Sequence, residues 1–218
     1  SGITRQLKDI DALKIVEEHD GTYFPPGTKF RYSNSGYAML ALIIEAVSGQ
    51  SYAQFQKGNI FEPLGMTNTV AFEDGINTVP NRAFGYALEN SKFVPKDQSP
   101  TSAVLGDGGI YSSVVDLFKW DHALYTEKLV SRKMLRDAWT THSKDSDMPG
   151  SGYGYGWYLA DYKGTEHIWH YGSTCGFSTK IERFPQKKTT IIVLTNRHDA
   201  GLSQLTPKLV DLVMSARL

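Results

Sequence analysis

Tyr32 and Asn34 stand two residues apart, just before a stretch with helical spacing of apolar residues. In a loop that enters a helix, both side chains can point into one cleft. A tyrosine phenol can relay protons if a neighbouring cation lowers its pKa from about 10 toward neutrality, and an asparagine amide can both donate to and accept from a substrate. The structural alternative is a half-buried Tyr32, with Asn34 or Ser35 capping the helix. The local sequence alone favours that alternative.

A second candidate is the run from Trp169 to Thr174, which contains His170 and Gly172. A glycine in a strand often marks the close approach of a ligand. A strand edge with unpaired N–H groups can hold an acyl carbonyl as it becomes an oxyanion, and His170 can serve as a polar or titrating group. The structural alternative is a hairpin whose glycines serve turn geometry, with His170 hydrogen-bonded in the core. Taken alone, this run also favours the structural alternative.

Other residue types with possible chemistry carry weaker signals. The glycine-rich run Gly106–Ser113 lacks phosphate-loop and Rossmann spacing, which favours a tight loop packed beneath a cleft over a phosphate site. Cys175 is the single cysteine, so an intrachain disulfide is excluded. A catalytic thiol stays open because His167 and His170 are near in sequence, but a small side chain in a strand or turn is favoured. The 6 histidines show no zinc-protease spacing, so no metal or other cofactor is predicted.

Charge and hydropathy exclude several classes of partner. The 23 basic and 23 acidic residues give no basic excess, so neither nucleic acid nor an acidic membrane surface is predicted. No apolar run approaches the roughly 18 residues that span a bilayer. The first residues do not resemble a signal peptide. Without repeats or linkers, the sequence predicts a single domain over 1–218, with a helical part at about 1–150 and strands plus a last helix at about 151–218.

Periodicity predicts helices followed by a strand meander. A three-four apolar spacing ending at Gly49 marks the firmest helix. The predicted helices are 9–19, 35–48, 51–61, 113–125, 131–139 and 205–214, and the predicted strands are 69–72, 82–94, 154–162, 166–171, 177–184 and 189–195. Sequential strands closed by a helix predict an antiparallel sheet flanked by helices, an α/β fold of the α+β type. The unbroken apolar run Ile191–Leu194 predicts a strand buried on both faces.

Together these stretches resemble a known family. The order and flanks of Phe24–Tyr37, Ile44–Gly49, Phe61–Met66, Gly108–Leu117 and His170–Gly172 are similar to those of the class C β-lactamase-like family, which also includes D-amino-acid-specific peptidases and carboxylesterases. The resemblance covers nearly the whole chain, and the joint match is specific where each part alone is not. It implies a β-lactamase/transpeptidase-like fold.

The resemblance also implies roles for individual residues. Tyr32 becomes the proton relay and Asn34 the contact to the substrate amide. His170 and Gly172 take the first and last positions of the family's Lys/His-x-Gly triad, and the backbone N–H of Ser173 becomes one half of the oxyanion hole. A histidine in place of lysine departs from the penicillin-binding pattern and leans toward the esterase or peptidase branches.

The family's nucleophile does not occur in this sequence. That nucleophile is the serine of Ser-x-x-Lys, and no serine here has a lysine three residues on. Thr141–Lys144 has the spacing with the wrong first residue and is interpreted as a solvated loop. The opening residues Ser1–Ile3 resemble the end of a stretch that follows the family's nucleophile. We therefore expect a fold that is incomplete at its N-terminus, with both serine and lysine supplied from outside this chain.

The expected function is that of a serine hydrolase acting through an acyl-enzyme on a small-molecule acyl substrate: a β-lactam, a D-amino peptide or an ester. This chain alone is then expected to be inactive. The alternative is a catalytically silent binding or scaffold protein. Uncovered sheet edges predict self-association, strand exchange or a companion N-terminal fragment. The resemblance also implies a periplasmic or secreted location.

Overall fold

The computed structural model describes residues 5–73, 75–144 and 148–215 of the 218-residue chain. Ser1–Ile3, on which the expected N-terminal boundary depends, lie outside these residues. The chain forms two compact units. Unit 1 comprises Ser1–Arg82 and Gln98–Ala123, and unit 2 comprises Ala83–Asp97 and Leu124–Leu218.

The predicted helices and strands occur in the predicted order, together with short elements at 62–64, 110–111, 143–144 and 152–153 that the sequence did not predict. The helices are α1 (Asp9–Glu17), α2 (Asn34–Ser48), α3 (Tyr52–Gln56), α4 (Glu62–Leu64), α5 (Val114–Ala123), α6 (Arg132–Ala138) and α7 (Leu202–Ser215). The strands are β1 (Val70–Ala71), β2 (Tyr86–Glu89), β3 (Lys92–Pro95), β4 (Ile110–Tyr111), β5 (Ser143–Lys144), β6 (Gly152–Tyr153), β7 (Tyr158–Tyr162), β8 (Thr165–Thr174), β9 (Phe177–Phe184) and β10 (Thr189–Thr195). The helix predicted over 51–61 is in fact α3 followed by a π-helical turn.

Helix α2 of unit 1 is delimited at both ends by its sequence. The N–H of Gly36 donates to the Ser33 hydroxyl at 3.0 Å, which satisfies one of the unpaired N–H groups of the first turn. At the other end Gly49 adopts a left-handed conformation with φ of 69°, which a glycine accepts without steric cost. The cap is therefore Ser33, and neither Asn34 nor Ser35 fills the capping role that the structural alternative gave them.

The glycine-rich run Gly106–Ser113 of unit 1 packs tightly at its start, and its residues Ile110–Tyr111 form β4 where a loop was predicted. The buried carboxylate of Asp9 accepts the N–H of Leu105 at 3.1 Å and of Gly106 at 2.9 Å. A Cβ on Gly106 would lie 2.6 Å from the Tyr37 carbonyl oxygen and 2.8 Å from the Ala41 Cβ. Only glycine fits at this position, because the loop backbone passes so close to α2. The loop is thereby held against α1 and α2.

Unit 2 contains a six-stranded antiparallel sheet in the order β10-β9-β8-β7-β6-β5. The predicted meander is thus confirmed, and α7 packs on β9 and β10. Strand β8 extends beyond the predicted 166–171 and runs to Thr174, where a two-residue turn leads into β9.

Three strand predictions need correction. The N–H of Gly154 donates to the Trp157 carbonyl at 2.8 Å, so the predicted strand 154–162 opens with a turn and β7 begins only at Tyr158. The segment interpreted as a solvated loop contributes β5, which pairs with β6. The run Ile191–Leu194 is half-buried, because β10 lies at the edge of the sheet and pairs with β9 alone among the described strands.

The predicted strand 82–94 is a hairpin. Asn90 and Ser91 both have positive φ, 48° and 63°, as a tight two-residue turn between antiparallel strands requires. The hairpin is tied to the segment after β10, since the N–H of Tyr86 donates to the Asn196 carbonyl at 3.0 Å and the N–H of His198 donates to the Tyr86 carbonyl at 3.1 Å. Strands β2 and β3 therefore belong to unit 2.

The core of unit 2 holds a fully buried cation. The guanidinium of Arg183 lies 5.2 Å from the Tyr125 ring centroid, 5.0 Å from that of Trp139 and 5.5 Å from that of Trp157. Aromatic faces attract a desolvated cation through their quadrupole. These three rings surround the charge and form part of the packing under the sheet.

Candidate active site

Tyr32 and Asn34 lie in unit 1 at the start of α2. Tyr32 precedes the Ser33 cap and is half-buried, with its ring centroid 5.6 Å from that of Tyr37. Asn34 is the first residue of the helix and is exposed. The neighbouring cation in sequence, Arg31, stacks on Tyr23 with its guanidinium carbon 3.7 Å from the ring centroid. The helix cap thus holds the two predicted residues at one end of a rigid element.

His170, Gly172 and Ser173 lie in unit 2 on the last part of β8. The register pairs Gly172 with Thr179 and Ser173 with Ser178 of β9. A two-residue hairpin closes with a hydrogen-bonded pair, and the pairs then alternate between hydrogen-bonded and non-hydrogen-bonded. The Ser173 N–H accordingly points away from β9.

The opposite side of this strand segment is uncovered by β7. The β7–β8 pairing ends with Tyr158 opposite Trp169, so β8 continues past its neighbour for five residues. Tyr171 to Thr174 are exposed. The Ser173 N–H therefore lies outside both of these strand ladders.

Gly172 lies two residues after His170 on β8. The two residues share a face of β8 because side chains alternate along a strand. A Cβ at Gly172 would come within 2.8 Å of the Thr179 hydroxyl, a side-chain atom that can turn aside. The Thr179 side chain therefore occupies the space beside Gly172.

Tyr171 and Tyr153 make hydrogen-bonding contacts with the His170 ring. Its Nδ1 lies 2.9 Å from the Tyr171 carbonyl oxygen and its Nε2 lies 3.1 Å from the Tyr153 hydroxyl. Burial lowers the pKa of His170, and the hydrogen bond to the Tyr171 carbonyl opposes this only in part. Sequence reasoning missed Tyr153, because a tyrosine in a passage rich in Gly and Tyr shows no spacing that ties it to a histidine 17 residues on.

Two glycines allow the turn that follows Thr174 to pack against the backbone of a neighbouring segment. Cys175 and Gly176 form the turn, and Cys175 has φ of 47°. A Cβ on Gly176 would lie 2.2 Å from the Tyr86 nitrogen, and a Cβ on Gly85 would lie 2.8 Å from the Lys96 carbonyl oxygen. The segment around β2 and β3 therefore presses backbone to backbone on this turn, a contact that the sequence did not predict.

The predicted site residues thus fall into two sets. Tyr32 and Asn34 belong to unit 1, while His170, Gly172 and Ser173 belong to unit 2. Within the described ranges, no group of three His, Cys, Asp or Glu side chains could hold a metal ion. None of the helices described there is long and apolar enough to cross a membrane.

Comparison with known proteins decides the family. The model of the Beta-lactamase family matches residues 15–213, which include both sets of site residues. The chain belongs to the β-lactamase family. Its helices and antiparallel sheet are those of the β-lactamase/transpeptidase-like fold, as the sequence predicted.

Relatives in this β-lactamase family include penicillin-binding proteins. The chain is 32% identical over 197 residues to penicillin-binding protein 4* of Bacillus subtilis, covering 85% of this chain and 44% of that protein. It is 34% identical over 209 residues to the putative penicillin-binding protein PbpX of the same organism, covering 95% and 48%. The octameric penicillin-binding protein homologue from Pyrococcus abyssi superposes with a TM-score of 0.83 at 31% identity, covering 92% and 47%. The chain thus spans about half the length of these relatives.

Proposed function

We propose that this chain is part of a serine hydrolase that works through an acyl-enzyme on a β-lactam, a D-amino peptide or an ester. The observation that carries the proposal is the backbone N–H of the exposed residue Ser173, which lies outside the β7–β8 and β8–β9 ladders directly after Gly172. Membership in the β-lactamase family supports acyl-transfer chemistry at this strand. The histidine in place of lysine favours an ester or peptide over a β-lactam.

Each residue has a part in the proposed reaction. A serine outside these 218 residues attacks the acyl carbonyl, and the Ser173 N–H stabilises the oxyanion that forms. Asn34 holds the substrate amide, and the His170–Gly172 strand lines the acyl group. Water then releases the product, while Tyr32 and the lysine that accompanies the nucleophile transfer protons.

Hydrolysis assays test this proposal. The 218-residue chain should turn over neither nitrocefin nor p-nitrophenyl acetate, whereas a longer polypeptide with Ser-x-x-Lys should show burst kinetics with one of them. In the longer polypeptide Tyr32→Phe should lower kcat by about 100-fold or more, while the exposed control Tyr23→Phe should leave it unchanged. Serine-dependent burst turnover by the 218-residue chain alone would contradict the proposal that the nucleophilic serine lies outside these residues.

A binding or scaffold protein is the second candidate. The observation that favours it is the lack of any serine followed by lysine at the third position in this sequence. The gene sequence encoding the residues before Ser1 discriminates the two functions. A Ser-x-x-Lys motif there supports the hydrolase, and a corresponding stretch without it supports the binding protein.

Assembly and location complete the proposal. The Pyrococcus abyssi homologue is octameric, and we propose that this chain likewise associates with itself or with a companion N-terminal fragment. We place the protein in the periplasm or outside the cell. Fractionation of the source cells tests the location, and recovery in the cytoplasmic fraction would contradict it.

A further inference from the structure

The sequence of helix α2 is typical of a buried helix. Between Gly36 and Val47, Glu45 is the only charged residue, and its carboxylate accepts the Tyr52 N–H at 2.7 Å. A helix at the surface of a globular protein normally carries charged and polar side chains on its outer face, whereas a helix that is hydrophobic all round is normally buried. Protein contacts are therefore expected on every face of α2.

The structure buries only one face of α2. Ala38 and Ala41 are exposed to 0% and 2%, whereas Leu40, Ile43 and Val47 are exposed to 52%, 56% and 84%. The three large residues follow a three-four spacing and form one line along the helix, which we call the α2 stripe. A single exposed apolar residue needs no explanation, but a continuous apolar stripe indicates a surface that other protein covers.

The α2 stripe begins close to the candidate catalytic loop. Leu40 lies six residues after Asn34 in the same helix, which is about 9 Å at about 1.5 Å per residue. Helix α1 packs beside α2 and also exposes three large apolar residues, Ile10, Ile15 and Val16. A polypeptide segment that brings a reactive group near Asn34 can therefore continue along apolar helix surface.

We propose that the α2 stripe is the docking surface for the part of the same protein that carries the nucleophilic serine and lies outside these 218 residues. The inference rests on the proposed function and names the surface that holds the part of the enzyme that this chain lacks. The chain covers 44% and 48% of the two Bacillus subtilis penicillin-binding proteins, so about half of such a protein lies outside the match.

The chemistry of the α2 stripe fits a partner segment with an apolar face. Burial of apolar surface is the main favourable contribution to association, and Leu40, Ile43 and Val47 offer apolar surface alone. A serine that acts together with Tyr32 must also lie near the first end of α2, where the stripe begins. One segment can thus satisfy both requirements, by placing its serine at the loop and its apolar residues on the helix.

The docking surface is tested by urea denaturation of a longer polypeptide that contains Ser-x-x-Lys. Ile43→Lys should lower its urea midpoint by about 1 M or more, because the ammonium would be buried without a partner. The control Ile76→Lys makes the same change at an isoleucine of unit 1 that lies off α2 and is 63% exposed, and it should shift the midpoint by less than about 0.3 M. In the 218-residue chain both isoleucines face solvent, so the two variants should have similar midpoints.

Two results would overturn the proposal. One is an equal urea midpoint for Ile43→Lys and Ile76→Lys in the longer polypeptide. The other is a midpoint that rises with protein concentration in the parent but not in Ile43→Lys, with light scattering showing that the variant has become monomeric. A second copy of the protein would then cover the α2 stripe.

Failure of the proposed function would look different. A longer polypeptide that Ile43→Lys destabilises, but that hydrolyses neither nitrocefin nor p-nitrophenyl acetate, would support the docking surface and count against the hydrolase. Hydrolysis together with equal midpoints for the two lysine variants would support the hydrolase and overturn the docking surface.

Discussion

Among single residues, Asp116 is a fully buried carboxylate with a complete set of donors. It accepts the N–H of Asn68 at 2.7 Å, the Thr69 hydroxyl at 3.0 Å and the Lys119 ammonium at 2.8 Å. Burial alone would raise its pKa, but these hydrogen bonds outweigh burial and hold the pKa of Asp116 below its ordinary value. The charge therefore stabilises α5 and the turn before β1.

Asp116→Asn should lower the free energy of unfolding by about 2 kcal/mol at pH 7, because charge-assisted hydrogen bonds are lost in a buried place. A depressed pKa stabilises the fold above the unfolded value and loses that effect as the pH falls. The difference from the parent should thus shrink below about pH 4. Urea denaturation measures both. The control Asp137→Asn breaks an exposed pair with Lys133, 3.0 Å apart, and should cost less than about 0.5 kcal/mol.

The pKa of Asp107 is shifted in the opposite direction, so the opposite effect of pH on stability is expected. Burial, followed by the nearby charge of Asp9, raises the pKa of Asp107 to about 6. A raised pKa means that the carboxylate destabilises the fold at neutral pH, and stability increases as the pH falls from 7 toward 4. Asp107→Asn should stabilise unit 1 by about 1 kcal/mol at pH 7 and by nothing near pH 4. A pH series of urea denaturations checks this, with exposed Asp20→Asn as control; a variant less stable than the parent at pH 7 would contradict it.

Individual site residues were predictable only through their joint order. Tyr32 and His170 have ordinary structural explanations when taken singly, and only the order of the stretches around them indicated a site. Tyr153 could not be found in this way. It reaches His170 because β6 and β8 both pair with β7, and such a contact depends on sheet order that single positions do not encode.

At the scale of elements, position 176 in the β8–β9 turn should tolerate no residue larger than glycine. Gly176→Ala would place a Cβ among the backbone atoms of Gly85 and Tyr86, which cannot move aside without distorting the hairpin. We expect a loss on the order of 3 kcal/mol in the stability of unit 2. Gly21→Ala, with nothing within 4 Å of the added atom, should change stability by less than about 0.5 kcal/mol. Equal unfolding midpoints for the two variants would show that the close backbone approach at Gly176 does not require glycine.

Long periodic elements were predicted well, and short ones were not. Helix α2 and strands β9 and β10 follow the sequence predictions to within a residue, because many positions share one period. Strands β5 and β6 have two residues each, too few to show alternation. The prediction that β10 is buried on both faces was wrong. An apolar run indicates a strand but does not indicate whether that strand is central or at an edge of the sheet.

For the whole molecule, the outer edge of β10 predicts association. Its half-buried apolar residues lie on an edge strand, and such edges pair with other chains unless a charge blocks them. Multi-angle light scattering at high concentration should detect species larger than a monomer. Ile192→Lys should shift the population toward monomer, while Ser203→Lys, which adds the same charge at an exposed position of α7, should not. A monomeric parent chain would refute this expectation.

The chain passes between its two units after Arg82, after Asp97 and after Ala123. Neither unit is therefore a continuous stretch of gene, and this matters during synthesis. The hairpin of β2 and β3 leaves the ribosome long before Asn196 and His198 have been translated. These two residues form the backbone hydrogen bonds with Tyr86. All residues of unit 1 that belong to this sequence have been translated once residue 123 has emerged, but the hairpin must wait for Asn196 and His198. A nascent polypeptide halted between these points should be a preferred substrate for chaperones and proteases.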